Sequence, residues 1–477
     1  MRVAGRIGVR IADSETRPAM LFNIVLAAAA GFVALLYMVM SSIGPAMFFS
    51  LTSPFDALFN GLFGFYGNAV TYLPLLAILV STSPKAWIDQ FFGSRIQRFV
   101  FLFIIALSIS HVVTFSIYPE AAVIEYLRKL TLFMVVGIWA SGMRSADQLS
   151  KLNRVLVIST AAYTVISMTD FYFGVGALPG ADASASGVLG ETLADTSSEH
   201  TLRYRGGGLP INRTANWLIV PTFLGFGWFM LVAKGRSKML GLACTIICIT
   251  GIFATVGRSA ILATLIGFVV IIFSRGGLQP KKIVGTTTVV SALGVIGLFF
   301  IWQVGFLDLF EARFVGEGSE GAAVGRLQVY SDTLRIWMTS PVIGVGDAAI
   351  PAHALYTGST AHNSFLGILA EAGLVGFIPY FALTVMFVLR FVRKSTYVDP
   401  VFDAWRPYFF AGFVASMTQS MFNEYTWERF IWYTVCYLIA YERLDAMGRM
   451  VAAREAKEKM PGFDSTFGIP PSEVQTY

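Results

Sequence analysis

MLGLACTIICITGIFATVGRSAILATLIGFVVIIFS, residues 239–274, carries one charged side chain in 36 positions. A bilayer core about 30 Å thick takes about 20 apolar residues per helix. The stretch divides at Arg258 into two such runs, 239–257 and 259–274, with almost no loop between them. The chain must therefore turn back at a membrane surface, with the Arg258 guanidinium at the interface. An arginine there is costly to desolvate unless an anion compensates it, which marks it as functional. The competing reading is a snorkelling side chain satisfied by carbonyls at a helix end.

The same pattern recurs along the chain. Ten further apolar runs lie near 20–43, 66–82, 99–117, 122–142, 155–175, 214–233, 283–303, 374–393, 407–422 and 430–442. The first is too long for a cleaved signal peptide. The aromatic stretch 45–65, broken by Pro54 and Asp56, reads as an interfacial or re-entrant piece. Charged residues make up 13% of the 477, hydrophobic residues 55%, and the mean hydropathy is +0.66. So few charges cannot cover a soluble surface, which excludes a soluble enzyme, a disordered chain and a disulfide-stapled secreted domain. Cys244, Cys248 and Cys436 all lie in apolar runs and read as small hydrophobes. The fold expected is an all-α polytopic membrane protein of about twelve transmembrane helices, with a large external loop between the ninth and tenth.

Basic residues orient it. With the amino terminus inside, 25 of the 35 Lys and Arg fall in inside loops, both termini are cytoplasmic and no loop violates the rule. The net charge of +6 is thus a topology signal and not a nucleic-acid footprint. The other ten are Arg128, Lys129, Arg203, Arg205, Arg213, Arg258, Arg313, Arg326, Arg335 and Arg429, and eight of them fall between 203 and 429. An external anion is the economical explanation. The chain divides into 1–303 with nine spans and an external loop at 176–213, a loop at 304–373, spans at 374–442 and a cytoplasmic tail at 443–477.

The long loop carries the candidate chemistry. RLQVYSDTLRIW has helical spacing, opens on Arg326 and reaches Arg335 nine residues later on a different face. A second helix runs from His362 into the next span; a neutral imidazole there can take a proton from a hydroxyl. Arg205 and Arg213 flank GGGLPIN, where glycines let backbone amides approach a phosphate and arginine binds it bidentately. No external acidic cluster offers a metal site, and no cofactor is expected.

Three stretches, TVGRSAILATL, GRLQVYSDTLRIWMTSPVIGVG and AHNSFLGILAEAGLVG, together resemble the O-antigen ligase and polysaccharide polymerase superfamily. The matching positions are Arg258; Arg326, Tyr330, Pro341, Gly344 and Gly346; and His362, Asn363, Leu366, Glu371, Gly373 and Gly376. Tyr330 stands where the family more often has Trp. RGGGLPIN resembles the exopolysaccharide polymerase branch and places Arg205 and Asn212. The resemblance implies a GT-C-like fold in the bacterial inner membrane and an inverting, metal-independent glycosyl transfer. The donor would be an undecaprenyl-pyrophosphate-linked glycan and the acceptor a glycan or lipid-linked sugar hydroxyl, in the periplasm. Arg258 and Arg326 would neutralise the pyrophosphate and His362 would be the base, with Arg205, Asn212, Arg213, Arg335, Asn363 and Glu371 around the substrate. A chain-length regulator and a flippase would be partners beside membrane lipid. A transporter of lipid-linked sugars is the alternative, disfavoured because no related halves or midplane helix breaks are visible.

Overall fold

The computed structural model describes residues 43–55, 92–117, 136–173, 211–231, 235–276, 318–346, 349–353, 360–424, 426 and 428–458, with isolated positions at 88, 129, 132–133, 204 and 288. Among them every element is helical and there is no strand. The α-helices are α1 (Gly44–Thr52), α2 (Arg95–Ile117), α3 (Ala146–Phe173), α4 (Ile211–Leu231), α5 (Arg236–Ala254), α6 (Arg258–Gly276) and α7 (Gly318–Thr339), followed by α8 (Ile350–His353), α9 (Ser364–Val392), α10 (Pro400–Asp403), α11 (Arg406–Ser420) and α12 (Arg429–Glu458).

Helices are what a bilayer demands, since each spanning backbone must satisfy its own N–H and C=O groups. Five of the described helices are long and apolar enough to cross: α2, α3, α4, α5 and α9. The apolar part of α6, Arg258–Ser274, is shorter. Apart from positions 43 and 288, the expected spans 20–43, 66–82 and 283–303 lie outside the described residues, and of 122–142 only 129, 132–133 and 136–142 are described. Two expected spans differ in extent. The 407–422 run is the 15-residue α11, about 22 Å long, shorter than a bilayer core. The 430–442 run extends as α12 to Glu458, because a helix continues as long as its hydrogen bonds do, past the point where apolar composition stops.

α4 is the central helix, packed against α3, α5, α6, α11 and α12. Small residues let helices close in where no hydrophobic force drives them together in lipid. A Cβ on Gly225 would stand 2.6 Å from Thr245 Oγ1 of α5, and one on Gly267 would stand 2.2 Å from the Phe223 ring of α4.

The long loop meets the bundle at a break in α9. Gly373 takes φ 59° inside that helix, so Leu374 and Val375 do not bond back to Ala370 and Glu371. Their N–H groups go to Pro341 O and Val342 O, both at 3.0 Å. The two freed carbonyls are taken by Val345 N and Gly346 N, also at 3.0 Å. Ser110 Oγ of α2 adds a 2.5 Å bond to Glu371 O. These four groups at the break are thus satisfied by the PVIGVG turn, as buried backbone requires. Gly344, at φ 76°, passes so close that a Cβ would fall 2.1 Å from Glu371 O.

Gly344→Ala is expected to cost about 2–4 kcal/mol, from a left-handed backbone plus a collision with main chain. Gly325→Ala, in α7 with open space around it, should be neutral or stabilising by up to about 1 kcal/mol. Thermal unfolding of the two purified variants in detergent checks this; equal midpoints would refute the role given to Gly344.

Candidate active site

The turn after α11, Met421–Glu424, gathers the candidate residues. Asn423 is buried and its side chain bridges two helix starts. Its Oδ1 accepts from Asn212 Nδ2 at 3.0 Å, and its Nδ2 donates to Ser259 Oγ at 3.4 Å. Its backbone carbonyl accepts from Ser364 Oγ at 3.2 Å. Asn212, Ser259 and Ser364 each stand within the first two residues of α4, α6 and α9. Three long helices therefore begin at one place, with the positive ends of their dipoles directed there, which suits an anion.

Arg258 is the first residue of α6 and half-buried. The turn that delivers it is strained: Val256, β-branched, takes φ 48°. Thr255 Oγ1 accepts from Gly257 N at 3.3 Å, and Gly257 O receives Ala260 N and Ile261 N at 3.0 Å. Tyr204 N donates to Ala254 O at 3.1 Å, fixing buried Tyr204 to the end of α5. Arg205 itself lies outside the described residues.

Arg326 comes from α7, with its guanidinium 5.7 Å from the centre of the Phe422 ring. Among the described residues it forms no ion pair, so a half-buried cation rests on an aromatic face without a carboxylate. Tyr330, one turn on, donates to Met421 O at 3.1 Å and holds α7 on the turn. His362 precedes α9 with φ 49°. Burial, and then the Arg326 charge, hold its pKa below the usual 6.5, so the neutral ring is favoured. Among the described residues the imidazole makes no hydrogen bond. Its neighbour Asn363 is fixed twice, as the cap of α9 accepting from Phe365 N and Leu366 N, and as a donor to Met421 O at 3.0 Å.

Three other expected residues have different neighbours. Arg213 pairs with buried Glu428 at 2.6 Å, beside the Trp217 Nε1 donor to the same carboxylate. Arg335 pairs with Asp332 at 2.8 Å and reaches His353 O at 3.4 Å, which ties α7 to α8. Glu371 contributes its carbonyl to the α9 break. These contacts give all three a place in the scaffold. The sequence reading did not find Asn423, Ser259, Ser364 or the Gln419 that donates to Asn212 O at 3.1 Å. It also missed Glu424, whose Oε1 lies against Gly367. The available signal was QSMFNE at 419–424, a polar cluster between two apolar runs.

Asn423→Ala removes the partner of half-buried Asn212 Nδ2 and of buried Ser259 Oγ and should cost about 1–3 kcal/mol. A variant with the wild-type thermal midpoint would show that the turn is held without this side chain.

No curated protein matches the chain. Residues 243–381 match the O-antigen ligase family; this segment supplies Arg258, Arg326, His362 and the broken helix, and the match supports a relation to the O-antigen ligase and polymerase superfamily.

Proposed function

We propose that the protein is an inverting glycosyltransferase that moves a glycan from an undecaprenyl-pyrophosphate-linked donor to a sugar hydroxyl, on the periplasmic side of the bacterial inner membrane. The observation that carries this reading is Arg326, which has no ion-pair partner among the described residues, beside three helix starts and Arg258. Cationic and dipolar groups converge there with a polarity that suits a pyrophosphate. The orientation is supported by the opposite ends of the same helices: Arg95 and Arg98 begin α2, Arg390 and Arg393 end α9, and Arg443 and Arg449 lie well along α12. Such a basic end belongs inside.

In the transfer, the acceptor oxygen attacks the anomeric carbon as its bond to the pyrophosphate breaks. Arg258 and Arg326 stabilise the charge that develops on the leaving pyrophosphate, which departs with the bonding pair. His362 takes the hydroxyl proton and later releases it to solvent. A single displacement inverts the anomeric centre. Asn363, by capping α9 and bonding Met421 O, sets the position of His362. The lipid tail would lie along the apolar helices, and the acceptor would be either a growing glycan or a lipid-linked sugar. A chain-length regulator and a flippase would supply and govern the donor.

Arg258→Ala and Arg326→Ala should each lower turnover by about 10²–10³-fold, the effect of losing one preorganised donor to a developing negative charge. The assay is glycan extension or transfer by purified protein with lipid-linked oligosaccharide and no energy source. Wild-type turnover in either variant would remove that arginine from the site. Asn423→Asp gives a sharper test: the carboxylate keeps the acceptor for Asn212 Nδ2 but places a negative charge at three helix starts that repels the donor, so unchanged activity in the folded variant would contradict anion binding there.

The pH profile tests the base. The active form is the neutral imidazole, and its pKa is lowered, so activity should persist below pH 6.5 and fall only as pH drops through the depressed value. Arg326→Gln removes one cause of the shift and should move the acid limb upward, whatever activity remains. His362→Gln should be as poor as His362→Ala, by about 10²–10⁴-fold. A competent glutamine variant would take the proton-transfer role away from His362. The arginines supply the charge that a metal supplies elsewhere, so EDTA should leave turnover intact. Loss of activity restored by Mg²⁺ would contradict that.

A further inference from the structure

At the other end of the bundle, a cavity of about 810 Å³ opens between α2, α9 and α12, within the roughly 300–1,000 Å³ of ligand sites. Its lining combines two chemistries. Phe381, Val385 and Leu389 of α9 form an apolar wall and are 52%, 40% and 53% exposed. Six arginines and two carboxylates stand at its mouth. The carboxylates are already engaged. Glu442 accepts from Ile96 N at 3.2 Å and lies 3.8 Å from Arg390. Asp445 pairs with Arg449 at 3.0 Å and Arg390 at 3.5 Å. Arg443 donates to Gln97 Oε1 at 2.7 Å. Among the described residues, Arg95, Arg98 and Arg393 form no ion pair, and all three are exposed.

We propose that this cavity is a binding site for an anionic glycerophospholipid, with its phosphate held by Arg95, Arg98 and Arg393 and an acyl chain against Phe381, Val385 and Leu389. The occupant follows from the pairing of chemistries. A soluble anion would engage only the arginines and leave the apolar wall of this spanning helix unmatched, and a zwitterionic lipid would leave the surplus positive charge unbalanced. Basic pockets between helices on the positively charged face of a membrane protein suit anionic headgroups. Distance separates this site from the catalytic one. Arg393 lies 30 residues along from Asn363, about 40 Å of helix, so the lipid here is not the glycan donor.

The test is native mass spectrometry of the full chain released from nanodiscs of phosphatidylcholine with a defined minor fraction of phosphatidylglycerol. The wild type should retain one phosphatidylglycerol per chain in preference to phosphatidylcholine. Arg95→Gln/Arg98→Gln/Arg393→Gln should weaken that retention by about 10²-fold. Arg236→Gln/Lys238→Gln/Lys394→Gln removes equal charge outside the cavity and should leave retention unchanged. Val385→Trp fills the apolar wall with every arginine in place and should also lose the lipid. Unchanged retention in the first variant, equal loss in the charge-matched one, or no preference for phosphatidylglycerol would each overturn the proposal.

Discussion

Asn423 is the contact on which the arrangement of the candidate site depends. It is a buried amide in a four-residue turn, yet its hydrogen bonds reach α4, α6 and α9. Lipid supplies no hydrophobic force to hold helix ends in register, so polar contacts must do it. Neighbouring residues of the turn extend the same constraint to α7, through Tyr330 on Met421 O and Arg326 on Phe422. Residues that are remote in sequence become neighbours because one turn offers two carbonyls, an amide and a ring to all of them.

The break in α9 solves a related problem. A loop of soluble character must meet a membrane helix without leaving bare backbone in a place that water does not reach. Four hydrogen bonds exchanged between 341–346 and 370–375 do this, and only glycine fits at the closest approach. The consequence reaches the site directly. The clasp fixes the direction of the first nine residues of α9, and with them Asn363 and His362 at its start. Tyr330 fixes the other end of the same unit through α7.

Much of this was legible in the sequence because the bilayer restricts what a spanning segment can be. The runs 239–257 and 259–274 are α5 and α6 to within a few residues, and the helix into the next span begins at Ser364, beside His362. Hydropathy fails where apolar composition and helix length part company, as in α12. Pairing was the larger loss. Arg213 reads as an external cation ready for a phosphate until Glu428, over two hundred residues later, is seen to neutralise it. Glu371 reads as a carboxylate, and the sequence shows no sign that its carbonyl is bonded across the α9 break. Asn423 reads as a turn residue, since nothing in its local sequence identifies three partners on three other helices.

Arg213 and Arg326 show why charge alone does not identify a binding arginine. Both stand outside by the positive-inside rule, both are half-buried, and both lie near an aromatic ring. Arg213 has Glu428 at 2.6 Å, so an incoming anion would have to displace a carboxylate that is itself buried and bonded to Trp217. Breaking such a pair leaves an uncompensated buried charge and costs about 3–5 kcal/mol. Arg326 has a ring face and no acid among the described residues, so an anion meets no such competitor. Burial first, and then the same Arg326 charge, lower the His362 pKa. A bound pyrophosphate would cancel that charge and raise the basicity of His362 once the donor is in place. Donor binding and proton abstraction would then be linked through one guanidinium, with the base strengthened only when there is a sugar to transfer.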